Sequence, residues 1–492
     1  MVAPLTFARR VQLALIASAT AVSCAGALQQ KPLLAQEQAP NIIFIMADDQ
    51  GYTDLGCYGS AYYETPHIDK LASQGLKLTN HHHCQNCTPT RAALLSGQYG
   101  PRTGVYTVGN IDRFDWSQRP LRPVDNVTQL PLDRSIFPNQ LQIAGYTTGV
   151  FGKWHVGEQG PYHPGRRGFT EAIVAAGKHF DFKTNPAAEY PPDTYLADFL
   201  TDQAEGFIRK HRDERFFLYL PHFGVHSPYQ AKREYIEKFQ AKAPAEGHRD
   251  PVYAAMIYSI DESVGRITEL LDELKLTEKT LVVFTSDNGG VGGYVREGIK
   301  STGDVTDNAP LRSGKGSLYE GGTRVPFIVR WPGRIPEGVS VDQPTIHVDI
   351  YPTMLELANA PAPEHVLDGE SLLPVWLDPS KSLHREAIYQ HFPGYLGAGA
   401  NKWRTTPVSL IHKGDWKLLE FLEDGRLELY NLADDIGETN NLVTTHAAKR
   451  DELHAQLTRW RQEIKAPMPT ENDGSSKPSK RRNNRQNADA DD

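Results

Sequence analysis

Asn41-Ile42-Ile43-Phe44-Ile45-Met46-Ala47 runs directly into Asp48-Asp49-Gln50-Gly51-Tyr52. An apolar run of this length, with no polar alternation, predicts a strand covered on both faces, as in a parallel sheet under helices. Adjacent carboxylates at its end repel each other unless a cation lies between them. A hard divalent ion with oxygen ligands, Ca²⁺ or Mg²⁺, is the simplest remedy. Thr280-Leu281-Val282-Val283-Phe284-Thr285-Ser286 repeats the arrangement and closes in Asp287-Asn288-Gly289-Gly290. Gly145 to Phe151 and Arg215 to Leu220 read as two more strands. Pro251 to Leu276 reads as a helix capped by Asp250, because Ile257, Ile260, Val264, Ile267, Leu271 and Leu274 step by threes and fours along one face. Strands alternating with helices predict a doubly wound α/β fold, in which ligands bind beyond the carboxyl ends of the strands. One crevice would then collect the residues that follow these strands.

The chemistry sits at those positions. Cys87-Thr88-Pro89-Thr90-Arg91 precedes Ala92-Ala93-Leu94-Leu95-Ser96-Gly97. Pro near the start, good helix formers and a terminal Gly predict a helix that opens at Cys87. Free N–H groups and the helix dipole favour an anion there, and Arg91 adds a forked cationic donor one turn on. Gly152-Lys153-Trp154-His155-Val156-Gly157 follows a predicted strand, with Lys153 and His155 on one side if the chain is extended. Pro221-His222-Phe223-Gly224-Val225-His226-Ser227-Pro228 follows another. Ser313-Gly314-Lys315-Gly316-Ser317-Leu318-Tyr319-Glu320-Gly321-Gly322-Thr323-Arg324 supplies a further lysine.

From about Asn41 to Leu442 these segments resemble the formylglycine-dependent sulfatase family, in the family's order. The resemblance implies an alkaline-phosphatase-like fold: a large mixed, mostly parallel sheet flanked by helices, then a small C-terminal antiparallel sheet plus helix. It implies that Cys87 is oxidised to formylglycine by a formylglycine-generating enzyme. Asp48, Asp49, Asp287, Asn288 and the converted Cys87 would hold Ca²⁺, with Mg²⁺ as the alternative. Lys153, Lys315 and His226 would bind the sulfuryl oxygens, with His226 or Lys315 protonating the leaving oxygen. His155 would take a proton from the second hydroxyl of the hydrated aldehyde, and Arg91 would hold the aldehyde end. In the family pattern the His before a small residue and Pro is functional, which selects His226 over His222. Thr90 stands where the family usually has Ser; it keeps the hydroxyl and adds a methyl group.

Composition bounds the rest. At 492 residues and 39% hydrophobic the chain can bury a large core, and a net charge of −8 argues against nucleic acid as a general partner. Arg9-Arg10, the apolar stretch Val11 to Val22 and Ala25-Gly26-Ala27 read as a signal peptide over 1–27, so a secreted or periplasmic protein is expected. Lipid attachment at Cys24 is the weaker alternative. No later stretch is long and apolar enough to span a membrane. A catalytic domain over 40–380 and a small α+β subdomain over 385–465 are expected. The latter has strands at Val408 to His412, Trp416 to Phe421 and Arg426 to Tyr430, a turn at Asp424-Gly425 and a helix from about Thr445 to Ile464. The polar, Pro-containing 466–492 is expected to be disordered.

Export and the polar loops 98–133, 158–195 and 291–309 favour a sulfated carbohydrate substrate, with aryl sulfates as simple analogues. Oligomeric state stays open. Phosphonate or phosphodiester hydrolysis is the nearest rival within the superfamily, and a non-catalytic glycan-binding relic is another. His81-His82-His83-Cys84-Gln85-Asn86-Cys87 offers a third, a zinc or thiol-redox protein in which Cys84 and Cys87 are partners. Once the signal is removed three cysteines remain, and with Cys87 converted, Cys57 and Cys84 could pair.

Overall fold

The computed structural model describes residues 39–300, 303–397 and 402–474. The proposed signal peptide, Cys24 and the tail from 475 onward lie outside the described residues. Nine strands form one sheet: β1 Asn41–Ala47, β2 Leu76–Leu78, β3 Thr147–Gly152, β4 Glu171–Ala176, β5 Lys183–Asn185, β6 Phe216–Pro221, β7 Thr280–Ser286, β8 Phe327–Arg330 and β9 Val339–Val341. Their order is β9-β2-β8-β7-β1-β6-β3-β4-β5. The inner strands β7, β1, β6, β3 and β4 pair parallel, while β8 and β5 are antiparallel to their inner neighbours. The sheet is therefore mixed and mostly parallel.

Every residue of β1 and β7 is buried, because separate apolar cores cover the two faces. On one face Ile43, Ile45 and Leu218 meet Ile257, Ile260, Val264 and Ile267 of the helix Pro251–Glu273. Asp250 caps that helix as expected, accepting from the backbone N–H groups of Val252 and Tyr253 at 2.8 and 3.0 Å. The opposite face packs Phe44, Met46 and Val283 against Leu94, Leu95, Ile350 and Met354.

A second sheet follows, a four-stranded antiparallel meander of β10 Ile388–Phe392, β11 Val408–Lys413, β12 Trp416–Phe421 and β13 Leu427–Asn431, with the helix Ala447–Glu463 beside it. It shares a core with the first part of the chain. Ile411, Leu418, Leu453 and Leu457 pack with Ala93, Tyr99, Ile346 and Val348. The disorder expected from 466 does not hold for the described residues 466–474: Thr470–Glu471 pairs antiparallel with Leu121–Arg122, so backbone hydrogen bonds hold this polar stretch where composition alone predicted none. Among the described residues no helix is long and apolar enough to cross a membrane.

Buried charges also join the two sheets. Lys417 of β12 donates to Glu320 at 2.8 Å and lies 2.9 Å from Glu438, while Arg324 and His82 reach the other Glu320 oxygen at 2.6 and 3.0 Å. Burial alone would raise the Glu320 carboxyl, but Lys417, Arg324 and His82 hold it well below the usual carboxylate range. His82, Glu320 and His412 are close enough to offer a cation three ligand atoms. Glu320 is the sole carboxylate among these three residues, and Lys417, Arg324 and His82 already occupy both of its oxygens, so the cluster reads as structural. Lys417→Met should destabilise the protein by about 3–5 kcal/mol in chemical denaturation, because it leaves Glu320 and Glu438 buried with one cation too few. A loss below about 1 kcal/mol, the range of exposed ion pairs, would show that this cluster does not join the sheets.

Candidate active site

The parallel strands β1, β3, β6 and β7 all deliver their carboxyl ends to one edge of the sheet, and the predicted residues gather there. Asp48 and Asp49 follow β1, Lys153 follows β3, His226 follows β6, and Asp287 and Asn288 follow β7. Cys87 opens the helix Cys87–Ser96, which ends at Gly97 with φ 67° as its C-terminal cap. Glycine makes the close approach of these loops feasible at two points. A Cβ at Gly152 would lie 1.9 Å from the carbonyl oxygen of Pro221, and one at Gly289 would lie 1.9 Å from that of Gly321. Asp49 and His155 adopt left-handed backbone at φ 66° and 61°, a cost of roughly 1–2 kcal/mol each for residues with a Cβ.

At the centre, ligand atoms of Asp48, Asp49, Cys87 and Asp287 all lie within 4.8 Å of one another. The Cys87 thiol points at Asp48 Oδ1, 3.4 Å away, and Asp49 Oδ1, 3.9 Å away. Cations surround the carboxylates. Arg91 grips Asp287 Oδ2 through Nε at 3.0 Å and Nη2 at 2.7 Å, and donates from Nη1 to the Lys153 carbonyl at 2.6 Å. Lys153 Nζ lies 2.5 Å from Asp48, and Lys315 Nζ lies 2.8 Å from Asp49. His226 Nε2 stands 3.7 Å from Asp49, while its Nδ1 bonds the Ser227 carbonyl at 2.6 Å. His222 is turned away to Ser263 Oγ at 3.0 Å, and burial lowers its pKa to about 3.

These groups fit a divalent cation. Asp48, Asp49 and Asp287 are almost wholly buried, and the carbonyl oxygen of the Asn288 side chain is buried with no hydrogen-bond partner. Three carboxylates balance the three cations Arg91, Lys153 and Lys315. A divalent ion among the carboxylates would give the pocket the positive charge that an anionic ester requires. Arg91 is charged throughout: burial opposes its charge, and Asp287 more than restores it.

One sequence expectation changes. Lys153 and His155 do not share an extended run, because β3 ends at Gly152 with φ 135° and His155 turns into the left-handed region. The half-buried His155 thus reaches its place by a turn. Cys57 and Cys84, whose pairing the sequence left open, are both free. The backbone N–H of Cys57 donates to Asp69, whereas Cys84 Sγ lies 3.6 Å from His347 Nε2. Cys84 and Cys87 also face different partners, which removes the geometry of a zinc or dithiol centre. Burial pushes the Cys84 thiol up to about 12 and the Cys87 thiol well above its ordinary range, so neither is a ready thiolate.

Other organising residues carry no local signal. Asp54 accepts from the Gly51 N–H at 2.8 Å and from the Tyr253 hydroxyl at 2.7 Å, which fixes the turn after Asp49. The Asn308 amide donates to the carbonyls of Gly290, Gly292 and Ser313 at 3.0–3.1 Å and so clips the Asp287 loop to the lysine loop. Such roles depend on contacts that no motif announces.

The sulfatase family model matches residues 40–360, and a model of the C-terminal part of N-sulphoglucosamine sulphohydrolase matches 314–464. The chain belongs to the sulfatase family. Relatives include a sulfatase of Formosa agariphila, 33% identical across 89% of this chain and 92% of that protein. N-acetylgalactosamine-6-sulfatase of Canis lupus familiaris is 32% identical across 76% of this chain and 71% of its own length. The solved structure of Ps i-CgsB in complex with k-i-k-neocarrahexaose superimposes with a TM-score of 0.72 at 28% identity, covering 90% of this chain and 94% of that one. A phosphonate monoester hydrolase of Agrobacterium radiobacter shares the fold at 20% identity and a TM-score of 0.65. This sulfatase thus has the alkaline-phosphatase-like architecture, and its matched span includes every residue of the central cluster.

Proposed function

We propose that this sulfatase hydrolyses sulfate esters of carbohydrates, with a formylglycine made from Cys87 as nucleophile and Ca²⁺, or alternatively Mg²⁺, in the carboxylate cluster. The supporting observation is the set Asp48, Asp49, Asp287 and Cys87 within 4.8 Å at a helix start, among buried cations. Asp48, Asp49, Asp287, Asn288 and the side chain at position 87 would hold the ion, which when bound supplies Lewis-acid stabilisation of charge on the sulfuryl oxygens. Oxidation of Cys87 supplies a hydrated aldehyde, whose second hydroxyl lets the sulfated side chain discharge sulfate; a plain serine lacks that route.

The remaining steps belong to side chains already in place. Lys153 and Lys315 present ammonium groups to the sulfuryl oxygens of the substrate. Asp287, oriented by the Arg91 fork, accepts the proton of the attacking hydroxyl. His226, with Nδ1 anchored on Ser227, presents Nε2 to protonate the leaving alcohol oxygen. His155 takes the proton of the second hydroxyl as sulfate departs. The family membership, the carbohydrate named for the canine relative and the neocarrahexaose bound to Ps i-CgsB support a sugar ester. An N-terminal export signal over 1–27 supports action outside the cytoplasm; a mature protein beginning after Ala27 would be the result expected from N-terminal sequencing.

Mass spectrometry of the peptide around Cys87, from a host that installs formylglycine, tests the nucleophile. A loss of ~18 Da relative to cysteine is expected for the thiol-to-aldehyde change. An intact thiol, beside a converted control protein, overturns it. Paired sulfate and phosphate esters of one alcohol test the reaction: sulfate should be preferred, and a strong preference for phosphate would establish the superfamily rival. Chelation should abolish turnover and Ca²⁺ should restore it. Undiminished turnover in a metal-stripped protein would remove the ion from the scheme.

A further inference from the structure

Beside the lysine loop stands a cation that the reaction does not use. Arg404 lies on the short strand Trp403–Thr405, which pairs with Leu396–Gly397. Its side chain crosses Gly316, the residue after Lys315, so closely that a Cβ there would lie 2.9 Å from Arg404 Cδ. The guanidinium sits over the ring of Tyr294, 4.8 Å from its centroid, and the Tyr294 hydroxyl donates to the Lys315 carbonyl at 2.7 Å. Arg404 is half-buried, its Nε is buried without a hydrogen-bond partner, and no carboxylate among the described residues pairs with it. Neighbouring arginines differ: Arg119 is matched by Glu423, and Arg312 by Glu297. Phe114 and Trp403, half-buried with ring centroids 6.4 Å apart, line the adjoining surface. A buried guanidinium N–H without an acceptor, next to the sulfate-binding lysine and beside aromatic faces, calls for an anionic ligand on a sugar.

We propose that Arg404 binds a second sulfate group of the carbohydrate and so selects multiply sulfated chains. Resting on the sulfate-ester reading above, this inference adds a subsite beyond the scissile group. Tyr294 couples the two by holding both the guanidinium face and the Lys315 backbone.

Binding, which needs no turnover, tests it. Calorimetry on the full-length Cys87→Ala protein with Ca²⁺ would compare ι-carrageenan and κ-carrageenan oligosaccharides of equal length, the former carrying the additional sulfate. The expected result is tighter binding of the ι form. In Arg404→Ala that preference should fall roughly 10–100-fold, the range of a charge-assisted pair. Arg404→Lys, which keeps the charge but loses the fork, should recover only part of it. A parent protein without preference for the additional sulfate, including one that binds neither chain, overturns the inference, as does Arg404→Ala with the preference intact. Loss of ι binding in Arg404→Ala beside a wild type that hydrolyses no sulfate ester would retain the subsite and refute only the hydrolytic reading.

Discussion

Cys87→Ala should abolish turnover, by a factor on the order of 10⁴–10⁶ as for removal of other covalent nucleophiles, while the fold persists. The thiol is fully buried, and its hydrogen-bonding contacts are the 3.4 and 3.9 Å approaches to Asp48 and Asp49. Alanine removes one atom at a helix start whose backbone is otherwise complete, so thermal unfolding should shift by no more than a few degrees. Cys87→Ser is the more discriminating variant. Its hydroxyl could attack once but has no geminal partner to expel sulfate, so the protein should gain one sulfuryl group in mass and then stop. Steady turnover in either variant would show that position 87 is not the nucleophile.

Asp287→Ala should be equally inactive and, unlike Cys87→Ala, unstable. The carboxylate is offered to the cation site and is also the partner of two Arg91 donors, at 3.0 and 2.7 Å, with both residues fully buried. Its removal leaves Arg91 with Asp48 at 3.8 Å and the Lys153 carbonyl. A buried guanidinium stripped of its partner costs about 3–5 kcal/mol, so denaturation should show the loss directly. Metal analysis separates the two roles. Asp287→Asn keeps an acceptor for Arg91 and should recover part of the stability, yet still bind the ion poorly. A stoichiometric Ca²⁺ retained in Asp287→Ala would remove this residue from the ligand set.

The two variants together divide chemistry from architecture. Position 87 carries reactivity with little packing, whereas Asp287 ties the Cys87–Ser96 helix to the end of β7. Buried charge is concentrated here because each group is matched. Lys153 against Asp48, Lys315 against Asp49 and Arg91 against Asp287 form three pairs within one buried cluster. Pre-set charges of this kind need little reorganisation when an anionic ester enters.

Much of the site was legible because its signals are local. The apolar run to Ala47, the β-branched run to Ser286 and the helix start at Cys87 each depend on a few consecutive residues. Period and punctuation therefore placed Asp48, Asp49, Asp287 and Cys87 at element ends. The choice of His226 over His222 came from the family's pattern, and the structure puts His226 at the cluster and His222 on Ser263. Other expectations failed for equally physical reasons. An extended chain through Lys153 and His155 ignored the backbone turn at Gly152 and His155. Whether Cys57 and Cys84 pair was open in the sequence, because cysteine count does not measure distance; both are free. Thr470–Glu471 lies where composition spoke for disorder, yet the strand Leu121–Arg122 supplied its hydrogen bonds.

By itself, then, the sequence determined the strand and helix ends, the residue types clustered there and the sulfatase resemblance, since each is written in neighbouring residues. Tertiary structure alone decided which charges meet. Arg91 finds Asp287 across 196 positions, and Lys315 finds Asp49 across 266. It also placed Lys417 beneath Glu320 and set Arg404 beside the lysine loop. These meetings follow from β1 lying between β6 and β7, and from the second sheet sharing a core with the first. Strand order is fixed by burial of whole faces across the chain, and no local pattern of residues encodes it.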